Sequence, residues 1–440
     1  MIGRRNTRRL WFVRSPFWRS EPNFGCQFVV SDASTIGFLP ARFRVPSLMY
    51  WDSNCSPSGC SNIDWGTPNL VLRVQAAKSA PDISTRKIVY DVRMRQFHGS
   101  AIDLFAGAGG LSLGLKRAGW QVEAAIEFDT HALATHQANM PEVLHISDDV
   151  RTIDFERFWG VDLVAGGPPC QPFSVSGRQR GSEDERDMVP QFVRAVREAK
   201  PSCFLMENVH GLATSRFRPY LNSKIAELVG LGYDVHSDVL DAADYGVPQH
   251  RRRLFVVGVP KGVPFAFPKP THGPRRPRNY KTVRSALEGL DNEMFNRAKV
   301  VYCKNPILRP SPYAGMLLNG KGRPLNLDAP SHTIPATAGG NRTHVLDPHG
   351  VLLEYHRHLR AGGEPRVGIV PDCRRLTVRE SAILQTFPTD FVFAGTPSRQ
   401  YSQVGNAVPV LLAQAVGDAL MKSMTGFASL DQMLNQAALL

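Results

Sequence analysis

The sequence predicts an α/β fold in which a doubly wound, mostly parallel sheet is interrupted by a smaller, loop-rich domain. Short apolar runs alternate with helix-like segments over residues 99–258, which is typical of such sheets. The alternation stops over 259–373, a stretch rich in Pro, Gly, Arg and His, and it returns over 374–440. We therefore predict one large domain formed by 99–258 and 374–440, with 259–373 inserted into it.

The strands are predicted from apolar runs, and the helices from apolar residues repeated on one face. The helix after the first strand carries Leu111, Leu115 and Ala118 on one face and ends at Gly119, a common helix terminator. The predicted strands cover 101–105, 122–126, 161–165, 203–206 and 253–258, and the predicted helices cover 111–118, 130–139, 186–199, 219–230, 377–385 and 410–421.

The first 98 residues mix arginine, serine and proline with isolated aromatic residues. Neither helical nor strand periodicity persists there, and the segment lacks the apolar core and cleavage site of a secretory signal. We expect residues 1–98 to be a basic extension that is largely disordered, or that precedes a native start at Met94.

Composition narrows the class of protein. The chain has 440 residues, of which 42% are hydrophobic and 21% charged, as in ordinary globular proteins. No apolar stretch is expected to span a bilayer. The seven cysteines are scattered, and Cys55 and Cys60 have no second pair to complete a metal site. A reducing cytoplasm, without disulfides or a bound metal, is therefore predicted.

The net charge of +13 is unevenly distributed. Residues 1–98 carry 14 basic against 6 acidic side chains, and 259–373 carry 17 against 8, whereas the remainder carries 21 against 25. A basic segment is usually a solvated surface, but its concentration in one insert indicates a polyanionic partner.

One cysteine lies in an unusual position. Cys170 follows two prolines, directly after the predicted strand 161–165. Proline restricts the turn, and the carboxyl ends of strands are where open α/β sheets bind ligands. A thiolate held there is a candidate nucleophile, although a buried structural cysteine would fit the same turn.

A glycine-rich turn, 103–110, lies between the first strand and its helix. Glycines let the backbone approach a ligand closely. Glu127 ends the second strand, where it could bind two ribose hydroxyls, and Asp149 could meet an adenine amino group. No lysine is present in the turn to hold a pyrophosphate, so a nucleoside such as S-adenosylmethionine is favoured over a dinucleotide.

A second group of polar residues follows later strands. Glu207 comes after the predicted strand 203–206 and is a candidate proton donor with a pKa raised by burial, or else a helix cap. Alternation places Arg251 and Arg253 on one side of the next strand and Arg252 on the other. Two arginines suit a phosphate and a base carbonyl, or a solvated surface.

The ordered set of motifs resembles the cytosine-5 DNA methyltransferase family, of the bacterial restriction-modification type. These motifs are DLFAGAGG at 103–110, Glu127, GGPPCQPFS at 166–174, ENV at 207–209, QHRRR at 249–253 and QVGNAVP at 403–409. Arg374 to Glu380 is similar to the stretch that anchors the family's recognition domain, and the extension 1–98 is a departure from the family.

The resemblance implies a Rossmann-like S-adenosylmethionine-dependent methyltransferase domain, with 259–373 as an inserted target-recognition domain. It implies that 403–409 packs beside the first motif. The residues expected around the cofactor are Asp103, Phe105, Gly107, Gly109, Glu127, Asp149, Val150, Pro168 and Asn406.

The resemblance also implies a mechanism. Cys170 would attack carbon 6 of a flipped-out cytosine, Glu207 would protonate or hydrogen-bond ring nitrogen 3, Arg253 would hold the base carbonyl, and Arg251 would orient the surroundings of the nucleophile. The residues expected to contact DNA are Ser174, Ser176, Arg178 and Arg180 in a lid, and Thr333 and Arg342 in the recognition domain. Arg323 is an alternative to Arg342.

Other functions remain open at this point. A transfer-RNA cytosine-5 methyltransferase, a catalytically silent DNA-binding homologue and a dinucleotide-dependent oxidoreductase are alternatives. The favoured interpretation is a cytoplasmic, nucleoid-associated monomer that acts on double-stranded DNA, away from membranes, and protects it from a cognate restriction endonuclease. The recognition sequence is not predicted.

Overall fold

The structure is a computed structural model that describes residues 97–169, 187–290 and 296–437, together with three earlier strands. Side chains are described up to residue 427. The chain divides into two compact units, one formed by Met1–Trp65 with Asn69–Arg95 and the other by Gly66–Pro68 with Gln96–Leu440.

The first unit contains a three-stranded antiparallel sheet, in the order β1-β3-β2. Its strands are β1 Cys26–Val30, β2 Leu70–Ala76 and β3 Ile88–Met94. They lie in the segment for which the sequence predicted little regular structure. The expected disorder of the rest of 1–98 concerns residues outside the described part of the chain.

The second unit is built on a seven-stranded sheet in the order β6-β5-β4-β7-β8-β10-β9. Its strands are β4 Ser100–Leu104, β5 Gln121–Ile126, β6 Leu144–Ile146, β7 Leu163–Gly166, β8 Cys203–Val209, β9 Tyr233–Asp241 and β10 Arg252–Pro260. All pairs are parallel except those of β10, which runs antiparallel to β8 and β9. The predicted α/β class is confirmed.

Successive residues of the central strands enter different hydrophobic cores. Leu163 and Ala165 face one core, while Val164 between them faces the other. Because helices cover both faces of the sheet, these strands read as continuous apolar runs rather than as alternating ones. The helices of this part are α1 Gly110–Arg117, α2 Thr130–Asn139, α3 Val189–Ala199 and α4 Arg218–Gly230.

The region after β10 has mostly short elements and long connections, and it ends in a long helix. They are α5 Val283–Leu287, β11 Tyr302–Ile307, β12 Met316–Leu318, β13 Val345–Leu346 and α6 Val351–Arg360, followed by β14 Arg374–Arg375, α7 Val378–Leu384, α8 Pro397–Asn406 and α9 Val410–Ala437. β13 pairs with β14. Hydrogen bonding therefore crosses the boundary that the sequence suggested between 373 and 374.

One helical segment corrects an expectation. Pro397–Phe427 is long and apolar enough, by length and composition, to cross a membrane, whereas the sequence was expected to contain no such stretch. Just over half of its most apolar window, 56%, is buried. Its α9 part packs on α1, where a Cβ added to Gly114 would lie 2.4 Å from the Cβ of Ala413. The helix is therefore part of the protein core.

Candidate active site

The glycine-rich turn after β4 has an unusual backbone. Gly107 and Gly109 have φ angles of 56° and 92°, and Phe105 also has a positive φ of 58°. That region is uncommon for an aromatic residue and often marks a functional site. A Cβ added to Gly110 would lie 2.3 Å from the carbonyl oxygen of Val408. The predicted packing of 403–409 beside the first motif is thus confirmed.

Glu127 is bound to this turn. Its Oε2 accepts from the Gly107 amide at 2.8 Å, and its Oε1 accepts from the Asp129 amide at 2.7 Å. Burial raises the pKa of the Glu127 carboxyl, while these amides lower it. The next residue, Phe128, is 73% exposed, so its ring is accessible to a ligand. Sequence reasoning missed Phe128.

Asp149 and Val150 follow β6, the neighbour of β5 at the sheet edge. Asp149 caps a short 3₁₀ turn, Val150–Thr152, and Val150 is buried. A hydrogen bond from Arg151 lowers the pKa of the Asp149 carboxyl. The structure places this acid at the same end of the sheet as Glu127, since both follow adjacent parallel strands.

The turn that leads to the predicted nucleophile is connected to the end of β8. The Asn208 side-chain amide donates to the carbonyl oxygen of Pro168 at 3.2 Å. A Cβ added to Gly167 would lie 3.3 Å from Glu207 Oε2. Glu207 therefore lies beside the backbone three residues before Cys170. Cys170 itself and the predicted lid residues, Ser174, Ser176, Arg178 and Arg180, lie outside the described residues.

Glu207 and Arg253 form a buried ion pair. Arg253 Nε lies 3.0 Å from Glu207 Oε1, and both side chains are almost buried. They are diagonal neighbours on antiparallel strands, because Glu207 pairs with Phe255. Burial raises the pKa of the Glu207 carboxyl, and the arginines 253 and 251 lower it. The sheet thus brings together the predicted proton donor and one predicted arginine.

Arg251 is fully buried, and it bonds to backbone carbonyls, whereas Arg253 pairs with an acid. Its guanidinium donates to the carbonyl oxygens of Ile334 at 3.1 Å and Gly405 at 2.8 Å. Gln249 Oε1 also accepts from the Ile334 amide at 2.9 Å. The QHRRR segment therefore joins the inserted region to α8, and the role of Arg251 in orienting the nucleophile stays a prediction.

The remaining predicted residues lie on the surface. Asn406 is exposed at the end of α8, whereas Gln403 is buried and accepts from the Thr135 hydroxyl at 2.6 Å. Thr333 is exposed, with its hydroxyl donating to the His250 carbonyl oxygen at 2.7 Å. Arg342 is exposed on the 3₁₀ turn Gly340–Arg342. Their binding roles stay predictions.

The residues that connect to Asp103 beneath the glycine turn were also missed. Asp103 Oδ2 accepts from Ser112 Oγ, and Ser112 contacts His136, which contacts His145. Asp103 Oδ1 has no hydrogen-bond partner among the described residues. No local pattern reveals this group, because its members come from four different elements.

The site has the features that a sulfonium nucleoside requires. The turn exposes backbone near Gly107, Glu127 can accept from hydroxyls, Phe128 offers a ring, and Asp103 keeps one oxygen for a cation. Together with the fold, these residues define an α/β enzyme of the S-adenosylmethionine-dependent methyltransferase class.

Comparison with known proteins identifies the family. The family model "C-5 cytosine-specific DNA methylase" matches residues 99–422, and the chain belongs to that family. It is 36% identical to the Type II methyltransferase M.XorII of Xanthomonas oryzae pv. oryzae, over 73% of this chain and 84% of the relative. It is 35% identical to M.NgoMIV of Neisseria gonorrhoeae, over 74% and 98%.

A solved structure agrees with this assignment. A DNA modification methyltransferase encoded within an E. coli prophage matches with a TM-score of 0.52 and 25% identity, covering 74% of this chain and 99% of the other. The protein is a DNA (cytosine-5-)-methyltransferase that uses S-adenosylmethionine as methyl donor and DNA as substrate.

Proposed function

We propose that the protein methylates one cytosine in a specific duplex sequence through a covalent bond from Cys170 to the base. The observation that carries this proposal is the ion pair of Glu207 and Arg253, held beside the Gly167 backbone that leads to Cys170. Burial raises the pKa of the Glu207 carboxyl, which favours its role as a proton donor to a ring nitrogen.

The residues divide the chemistry between them. Glu207 gives a proton to ring nitrogen 3, which makes carbon 6 electrophilic, and the Cys170 thiolate forms a bond to that carbon. The electron pair then lies on carbon 5, which takes the methyl group. S-adenosylmethionine supplies that methyl group in electrophilic form. Loss of the carbon 5 proton to a base then breaks the bond to sulfur and frees Cys170, while ring nitrogen 3 returns its proton to Glu207.

Arg253 has two tasks in this scheme. Its guanidinium fixes the carboxyl of Glu207 through Nε, and its remaining donors can hold the base carbonyl. The target base has to leave the duplex, which costs a few kcal/mol. Ser174, Ser176, Arg178 and Arg180 are proposed to occupy the vacated space and to contact phosphates.

The insert 259–373 is proposed to bind and read the DNA, with Thr333 and Arg342 among its contacts. A loop not singled out from sequence supports this. Arg275, Arg276 and Arg278 are exposed, and none forms an ion pair with an acid in the described part of the chain. Exposed cations without acidic partners suit the phosphate backbone.

This arginine loop, residues 271–280, is held in shape by its own backbone. The Gly273 amide donates to the Arg278 carbonyl oxygen at 2.9 Å, and the Tyr280 hydroxyl donates to Asp244 at 3.0 Å. The Tyr280 ring packs edge-on against His250, with centroids 5.4 Å apart. The loop is therefore anchored to the segment that supplies Arg253.

The relatives are named Type II methyltransferases, and we propose that this enzyme likewise protects DNA from a cognate restriction endonuclease. A cytoplasmic, nucleoid-associated monomer that works away from membranes is proposed with it. Bisulfite sequencing of DNA from cells that express the protein gives the modified atom and the recognition sequence together.

Trapping tests the covalent step. With S-adenosylmethionine and duplexes that contain 5-fluorocytosine, fluorine replaces the proton that must leave carbon 5, so the enzyme should stay attached to the base. We expect a denaturation-resistant complex whose mass spectrum places DNA on Cys170. Cys170→Ser should form none, while Cys303→Ser, a partly exposed control cysteine, should form it normally. An adduct retained by Cys170→Ser would refute the proposal.

A further inference from the structure

A continuous hydrogen-bonded chain runs from the glycine turn towards the edge of the sheet. Ser112 Oγ donates to Asp103 Oδ2 at 2.5 Å and lies 2.9 Å from His136 Nε2. His136 Nδ1 lies 2.8 Å from His145 Nε2. The four residues lie on β4, α1, α2 and β6, so the main elements around the cofactor turn meet in this chain.

The two ends of the chain differ in exposure. Asp103, Ser112 and His136 are buried, whereas His145 is partly exposed on the short edge strand. Asp103 Oδ1 is buried and has no partner among the described residues. One end is therefore a solvent-accessible imidazole, and the other is a carboxyl group with one oxygen left for a ligand.

The protonation of Asp103 determines the direction of every bond. An ionised carboxylate can only accept, so Ser112 donates to it, His136 donates from Nε2 to Ser112, and His145 donates from Nε2 to His136. With a proton on Oδ2, all three bonds can reverse, and His136 then donates from Nδ1. The two directions correspond to opposite tautomers of His136.

Burial and the neighbouring groups place the protonation of Asp103 close to neutral pH. Burial raises the pKa of Asp103 to about 7, the Ser112 bond lowers it, and Glu127 raises it. Burial, with His145, lowers the pKa of His136 to about 3, so that ring stays neutral; Glu142 opposes this weakly. Burial also lowers the pKa of His145, against the Val143 backbone and Glu142. Glu142 is itself paired with Lys116.

We propose that Ser112, His136 and His145 form a proton relay between Asp103 and the protein surface, and that a cationic group bound at Asp103 drives a proton out along it. The ligand part of this inference rests on the proposed cofactor, whose α-ammonium group is the cation. Ser112, His136 and His145 are positioning residues, since only Asp103 meets the ligand.

The transfer balances atom by atom. The Oδ2–H bond of Asp103 breaks as its proton passes to Ser112 Oγ, and the former Ser112 proton passes to His136 Nε2. The proton on His136 Nδ1 moves to His145 Nε2, and His145 releases its Nδ1 proton to water. Asp103 is left ionised opposite the ammonium group, and both histidines remain neutral.

The first experiment uses the protein without ligand. In protein labelled with ¹⁵N-histidine, we expect His136 to change from the Nδ1–H tautomer below pH 7 to the Nε2–H tautomer above it. Ser112→Ala should abolish that change, and His349→Gln, an exposed control histidine, should not affect it. A single His136 tautomer from pH 5.5 to 8.5 would overturn the relay, whether or not the cofactor assignment is correct.

The second experiment measures protons released on binding S-adenosylhomocysteine, by calorimetry in buffers of different ionisation enthalpy. We expect about one proton at pH 6 and almost none at pH 8.5, since Asp103 titrates near 7. Asp103→Asn removes the carboxyl group that supplies the proton, so this variant should release none at either pH. 5′-Methylthioadenosine, which lacks the amino group, should release none.

The outcomes of the two experiments are distinguishable. Tight binding of S-adenosylhomocysteine without proton release at pH 6 would refute the coupling while leaving the proposed function intact. Absence of binding would count against the proposed cofactor residues, and the tautomer titration would still decide the relay.

Discussion

The two halves of the active site are built in opposite ways. Around the cofactor turn, Glu127 is held by the Gly107 and Asp129 amides, and Asp103 Oδ1 is the buried oxygen left without a partner among the described residues. On the target-base side, one buried ion pair, Glu207 with Arg253, lies near exposed arginines. The cofactor half is therefore formed before binding, whereas the base half depends on DNA for its remaining partners.

Removing the acid of the base half should have the largest effect. Glu207→Gln keeps the shape of the side chain but cannot deliver a proton, so we expect kcat to fall about 10²–10⁴-fold. The affinity for S-adenosylhomocysteine should be unchanged, because that half is preformed. Methyl transfer from labelled cofactor and calorimetry measure the two quantities. Glu156→Gln, at an exposed site, is the control and should change neither quantity. If Glu207→Gln lowered kcat and the affinity for S-adenosylhomocysteine equally, the proposed difference between the two halves would be wrong.

Adding a side chain where Gly110 meets the Val408 carbonyl should disrupt the cofactor half. A Cβ at Gly110 would lie 2.3 Å from the Val408 carbonyl oxygen, so Gly110→Ala should lower the free energy of unfolding by about 1–3 kcal/mol and weaken S-adenosylhomocysteine binding. Urea denaturation and calorimetry measure these effects. Gly230→Ala is a matched control, because its Cβ meets nothing within 4 Å; that variant should be neutral or slightly more stable.

Neutralising the arginine loop should test whether the target-base half depends on contacts with DNA phosphates. Replacing Arg275, Arg276 and Arg278 with Gln should weaken duplex binding uniformly across sequences. The slope of the salt dependence should fall by about one unit for each phosphate that the variant no longer neutralises. Fluorescence anisotropy at several salt concentrations measures both. Arg284→Gln should change neither, since Asp328 already pairs with Arg284. A change in sequence preference would indicate base contacts instead.

The last expected effect is on the pH dependence of stability. The pKa of Asp103 is raised to about 7, so its contribution to stability is lost as the pH rises from about 4 to 7. The pKa of His136 is lowered to about 3, so its contribution to stability is lost as the pH falls from about 6.5 to 3. These slopes offset each other in the native protein. Asp103→Asn should therefore expose a rise of up to about 1.4 kcal/mol per pH unit between pH 4 and 6. Urea denaturation at three pH values measures it, and a flat profile would argue against a neutral buried His136.

The central strands and their helices were predictable because their apolar runs are local. The helix predicted over 130–139 is observed as Thr130–Asn139. β9, Tyr233–Asp241, was missed because it is an edge strand with many polar, partly exposed residues. The antiparallel direction of β10 could not be predicted from the sequence either, because the residues of a strand do not determine the direction of the strands beside it.

The candidate site was predictable where motifs are contiguous, as in the glycine turn and the Glu207 segment. Contacts between distant residues were not. Arg251 was expected in the reaction centre, but its bonds reach Ile334 and Gly405. The Ser112 and His136 chain likewise depends on how helices α1 and α2 pack, which no local periodicity encodes.

The contact of Gly110 with Val408 also affects when the pocket can form during protein synthesis. The two residues lie roughly 300 positions apart, so a ribosome adding about 5–20 residues per second completes the second partner some tens of seconds after the first. A nascent chain therefore cannot close its nucleoside pocket until Val408 has been added. Fragments that end before Val408 should therefore remain inert.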